Sequence, residues 1–164
     1  MATVKRDNPK AFDTLNARLK ELEGKQAKVG WFATSKYEDG TPVAYIAAIQ
    51  EFGSPKNNIP PRPFMRPTVI HQKNEWIQLL TSGARSILAG KSSITTVMNA
   101  IGLKASADIA KSITQVFSPP LKPATIAARK RKRADKKTLG LLTKPLVDTG
   151  LMLNTVTYVV EDDK

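Results

Sequence analysis

The chain has 164 residues, 41% of them hydrophobic, which suits one globular domain over residues 1–164 and excludes a disordered, collagenous or fibrous protein. It has no cysteine and one histidine, His71, which removes disulfides, iron–sulfur clusters, thiolate metal sites, cysteine nucleophiles and most histidine chemistry. The net charge is +12, and residues 119–147 hold nine basic residues against one acidic, +8 of that total.

No apolar run approaches the ~18 residues of a membrane helix, and the start Met-Ala-Thr-Val-Lys-Arg lacks a signal-peptide core. A soluble protein of a reducing compartment is expected. Asn8-Pro9 opens a predicted helix, because Asn caps free N–H groups and Pro at the first position loses no hydrogen bond. Phe12, Leu15, Leu19 and Leu22 form its stripe, and Gly24 stops it. Lys25 to Thr34 reads as a strand with Ala27, Val29 and Trp31 on one face. Tyr37 to Pro42 is a turn centred on Asp39-Gly40. Val43 to Phe52 is apolar nearly all round, which predicts a short buried helix ended by Gly53.

Ser54 to Pro67 carries five prolines and predicts a stiff, extended connector. A long helix follows from about Pro67 to Leu88, with Val69, Trp76, Leu80, Ala84 and Ile87 on one face and Ile70, Ile77 and Leu88 flanking it. Gly90 to Ser93 breaks the pattern, and Ser92 or Ser93 caps a further helix over about Ile94 to Phe117. Its stripe is Ile94, Val97, Met98, Ile101, Ala105, Ile109, Ile113 and Val116, with Gly102 as a weak point of about 1 kcal/mol. Pro119-Pro120 ends it, and a basic loop follows. Asn154 to Val160 is β-branched and aromatic, hence a strand, and Glu161 to Lys164 reads as a solvated tail. The expected class is α+β: amphipathic helices packed on a small antiparallel sheet that pairs the early strand with the last.

Several patterns touch on chemistry. Asp148-Thr149-Gly150 imitates the aspartic-protease signature, but that reaction needs two aspartates sharing a proton, and a single one would require a dimer. A turn or cap is the plainer reading. Gly90-Lys91-Ser92 resembles the end of a phosphate-binding loop, yet the glycine required five positions earlier is Arg85. His71 with Glu75 makes no metal site, and Glu38, Asp39 and Glu51 are scattered. No catalytic residue, cofactor or metal ligand is therefore assigned, and no enzyme or small-molecule substrate is expected.

The clearest feature is the basic run Arg129, Lys130, Arg131, Lys132, Arg133, Lys136 and Lys137. Five consecutive cations repel one another, which predicts a segment that is mobile or held by a partner. The plain reading is a solvated loop that keeps the protein soluble; passing double-stranded DNA and an acidic protein are the two candidate partners, and DNA binding would be salt-dependent. Missing aromatics argue against stacking on single strands. A nucleic-acid-binding role in packaging or ejection follows as the second hypothesis.

Three segments in order, Ala44 to Gly53 ending in Glu-Phe-Gly, Ile59 to Pro67 containing Pro-Pro-Arg-Pro-Phe, and Pro145 to Met152 containing Asp-Thr-Gly, resemble a family of head–tail joining and tail-completion proteins of long-tailed bacteriophages and prophages. The likeness runs from about Val29 to Val160. It implies a virion structural protein of the neck or head-proximal tail end, made in the host cytoplasm, that forms a homo-oligomeric ring, commonly sixfold, among neck and tail-tube neighbours and away from membranes. It implies subunit or partner contacts at Glu51, Phe52, Pro61, Arg62, Pro63, Phe64 and Arg66, the proline element contacting another subunit or anchoring to the core. A two-stranded ribbon is marginal alone, so a sheet continued across subunits fits the same expectation.

Overall fold

The computed structural model describes residues 9–22, 24–132 and 142–162. The chain runs α1 (Pro9–Leu22), β1 (Lys25–Gly30), α2 (Val43–Phe52), a 3-10 turn (Pro55–Asn57), α3 (Met65–Leu88), α4 (Ile94–Gln115), α5 (Pro123–Lys132), α6 (Leu151–Thr155) and β2 (Thr157–Asp162). β1 and β2 form an antiparallel pair in which Lys25 stands opposite Asp162 and Gly30 opposite Thr157. The class is α+β, as the patterning predicts.

α4 lies beneath both strands. Its contact with β2 depends on Gly102, because a Cβ there would stand 2.4 Å from Cδ2 of Tyr158. The predicted weak point is therefore a seat for an aromatic ring. The main core joins Val43 and Ala47 of α2, Phe64, Ile109 and Ile113 of α4, Leu146, Val147 and Met152. Trp31 packs edge-on to Phe64, with ring centroids 5.7 Å apart, and its Nε1 donates to the Met152 carbonyl at 2.8 Å. A smaller cluster of Ile87, Ile94 and Val97 closes the turn from α3 to α4. Gly83 lets those helices approach, since a Cβ there would meet Val97 at 2.4 Å. Ser93 caps α4 by accepting from the Thr96 N–H.

Several expectations change. β1 ends at Gly30, four residues short of Thr34. α2 is buried only along Val43, Ala47 and Glu51, while Tyr45 and Phe52 face outward. In α3 only Ile87 of the predicted stripe is buried; Val69 and Leu80 are exposed, as are the flanking Ile70 and Ile77. In α1, Phe12 and Leu19 are exposed, while the side chains of Leu15 and Leu22 lie outside the described residues. α1 is tied to α3 by Arg18, whose Nη1 donates to the Leu88 carbonyl at 2.8 Å. Residues 123–132 are helical where a loop is expected, and Leu142, Leu146 and Val147 are buried beyond them. β2 extends through Glu161 and Asp162, which ion-pair with Lys28 and Lys25 instead of forming a tail.

Candidate functional site

The proline-rich element is built around one carboxylate. Gly53, at φ +77°, ends α2, and a Cβ there would lie 2.8 Å from the Pro61 nitrogen, so the returning chain passes directly over it. The Arg62 N–H then donates to the Gln50 carbonyl at 2.7 Å. In this extended stretch side chains alternate: Arg62 and Phe64 turn inward, and Pro61 and Pro63 outward.

Glu51, the last buried residue of α2, reaches the start of α3. Its Oε2 accepts from the N–H groups of Phe64 (2.7 Å) and Met65 (2.9 Å), and its Oε1 from the Arg66 N–H (3.1 Å) and Nε (2.9 Å). The free donors of a helix N-terminus are thereby satisfied by an anion on the favourable end of the helix dipole. This cap starts α3 at Met65, two residues before the predicted Pro67. Burial alone would push the Glu51 carboxyl up, but the Met65, Phe64 and Arg66 donors together outweigh it and hold the group below its ordinary range.

Arg62 is buried too, with Nε donating to the Pro119 carbonyl at 2.7 Å, Nη2 to that of Pro120 at 3.0 Å, and Nη1 to Gln50 Oε1 at 3.3 Å. Burial lowers its pKa from a value high enough to leave it charged. Phe64 is 1% exposed, and its carbonyl accepts from Thr68 Oγ1 and Ser112 Oγ. Glu51, Arg62 and Phe64 therefore join the chain to itself and do not face a partner. Of the seven expected contact residues, Phe52, Pro61, Pro63 and Arg66 stay on the surface, where the Arg66 guanidinium lies over the Phe52 ring at 4.8 Å. Beside them a groove of about 300 Å³ runs between β1 and α2, walled by Val29, Trp31, Phe32, Ala44, Ala48 and Phe52.

The basic run divides. Arg129 is 8% exposed, and its guanidinium donates to the carbonyls of Leu142, Lys144, Pro145 and Val147 at 2.7–3.4 Å. This corrects its assignment to DNA or an acidic partner: it staples residues 142–147 to α5. Lys130 and Arg131 are exposed, Lys132 closes the helix, and Arg133, Lys136 and Lys137 lie outside the described residues. Ile126 and Arg129, three apart, share a helix face, a spacing that could have separated Arg129 from its neighbours.

Asp148-Thr149-Gly150 is a turn into α6. Asp148 Oδ1 lies 3.4 Å from Arg129 Nε, Thr149 Oγ1 accepts from the Leu151 N–H at 3.2 Å, and Gly150 takes φ +81°. These residues border a cleft of about 290 Å³ with Tyr37 and Asp39. Burial, then Asp148 and Asp39, push the Tyr37 phenol up, so it is a proton-bearing donor at neutral pH. Gly90-Lys91-Ser92 forms the α3–α4 turn, with Lys91 N–H donating to the Ser86 carbonyl. His71 is exposed, and Glu75 pairs with Lys104. Among the described residues no cluster of three His, Cys, Asp or Glu could hold a metal, and no helix is long and apolar enough to cross a membrane.

Comparison with family models, with curated proteins and with solved structures finds no match to this chain.

Proposed function

We propose that the chain is a structural protein of the neck or head-proximal tail end of a long-tailed bacteriophage, assembling with copies of itself into a ring that completes the tail and joins it to the head. The carrying observation is the Glu51 carboxylate seated on the N–H groups of Phe64, Met65 and Arg66. It links two of the three segments that resemble the joining proteins, and Leu146 and Val147 of the third lie in the same core cluster as Phe64. Three weak motifs are thus parts of one scaffold. That scaffold presents Phe52, Pro61, Pro63 and Arg66 on a stiff surface that loses little entropy when a partner docks. In this reading Asp148 shapes a turn, and the protein catalyses no reaction.

Light scattering and negative-stain images of the purified protein test the reading: a ring of uniform copy number is expected, with the same chain in the neck of assembled particles. A monomer absent from particles would overturn it. The exposed Lys130 and Arg131 favour a second reading, contact with double-stranded DNA. Duplex binding at about 50 mM salt that weakens steeply as salt rises would support it.

A further inference from the structure

Among the described residues β1 and β2 pair only with each other, which leaves one edge of each strand without a backbone partner. The open edges differ in charge. β1, Lys-Gln-Ala-Lys-Val-Gly, holds two lysines and no acid; β2, Thr-Tyr-Val-Val-Glu-Asp, holds two acids and no base. Within the chain these charges already meet, as Lys25 with Asp162 and Lys28 with Glu161. Lys28, Val29 and Gly30 form one wall of the apolar groove whose facing wall is α2, so a strand that pairs with β1 on that side would enter this groove.

We infer that the open edge of β1 receives the open edge of β2 from a second copy of this chain, antiparallel, so that one sheet continues from subunit to subunit. The inference rests on the ring reading above and specifies its contact. Pairing of unlike strands sets lysines beside acids at each junction. Pairing of like strands would set two basic or two acidic edges together, which cross-strand electrostatics disfavours. Lys25 and Asp162 stand opposite each other, so both charged ends lie at one end of the sheet. Rotation about an axis along the strands preserves that level and the alternation of strand direction. Each acidic end then lies between two basic ends. Such a contact is head-to-tail, the kind that closes into a ring, and closure leaves no strand edge open.

Tyr158 faces α4, so Gln26, Lys28, Val159 and Glu161 share the opposite, uncovered face. The chain has no cysteine, so a variant with one cysteine forms disulfides only between chains. Gln26→Cys and Lys28→Cys would each be co-expressed with Val159→Cys and Glu161→Cys and mildly oxidised. The expected result is a covalent dimer in at least one mixed pair that neither single variant gives alone. A β1 variant that crosslinks to itself overturns the inference in favour of like-strand pairing. Crosslinks in no pair, with light scattering still showing a ring, overturn the strand junction and leave the ring reading intact. A monomer throughout overturns both.

Discussion

The Cβ that Gly102 lacks would stand 2.4 Å from Cδ2 and 2.6 Å from Cγ of Tyr158, so the ring occupies the place of a side chain on α4. The obstructing atoms belong to the root of the ring and cannot swing aside. Gly102→Ala gains about 1 kcal/mol of helix propensity but overpacks the contact by about 1–3 kcal/mol. A lower melting temperature is expected, measured by calorimetry, and the same glycine change should cost less in a Tyr158→Ala background, which lacks Cγ and Cδ2. An unchanged or raised melting temperature for the single variant would show that β2 can shift away.

Glu51→Gln keeps the shape of the helix cap and removes its charge. Loss of the charge-assisted bonds should cost about 2–3 kcal/mol. The pH dependence follows from the sign of the shift. The Glu51 carboxyl is held down in the folded chain, so its contribution is complete above the unfolded value of about 4.3 and is lost as pH falls through the folded value. Urea unfolding between pH 6 and 3 should show that acid-side loss in the parent protein and a smaller one in the variant.

Arg129→Met and the pair Lys130→Ala with Arg131→Ala separate two roles within one run of cations. The first strips four carbonyls of their donor and should destabilise the fold by about 2–4 kcal/mol, with faster proteolysis near residues 142–147. The second removes exposed charge and should leave stability within about 0.5 kcal/mol, while lowering any affinity for duplex DNA and the slope of its salt dependence. Equal melting temperatures for all three proteins would contradict the staple.

Asp148→Asn weakens a pair whose carboxylate side is 48% exposed, so a cost below about 1 kcal/mol is expected. Peptide cleavage assays should give the same result for parent and variant. Cleavage that the variant loses would restore the protease reading of Asp-Thr-Gly.

Phe52→Ser alters a side chain that is 65% exposed. The monomer should melt within a few degrees of the parent, and the assembled mass should fall, as read by light scattering.

Pro9, Gly53, Ser93 and Pro119-Pro120 mark helix ends by backbone chemistry that needs no neighbours, while Asn8 lies outside the described residues. Of the predicted α4 stripe, Ile94, Val97, Ala105, Ile109 and Ile113 are buried, while Met98, Ile101 and Val116 are partly so. The pairing of the first strand with the last was legible from strand chemistry and the lack of other partners. What escaped was set by contacts distant in sequence. Glu51 begins α3 from 13 to 15 residues away, so periodicity alone misplaced that start. Arg129 reads like its neighbours until the chain beyond it folds back. The apolar residues of α3 have the spacing of a core face, but α4 covers that helix on one side only, hence Ile70 and Ile77 in solvent. In the candidate site the sequence marks the motif residues but not that Glu51, Arg62 and Phe64, three of the seven, turn inward, because alternation in an extended stretch has no fixed phase until Arg62 and Phe64 are anchored.

α3 is held firmly at both ends. Glu51 binds its first turn, and the Arg18 guanidinium and the Gly83–Val97 contact hold its last two turns. At about 1.5 Å per residue its 24 residues make a strut of roughly 36 Å. A strut pinned this way does not absorb displacement. The proline elbow and the tip beside α1 are therefore the two anchored ends of one continuous helix.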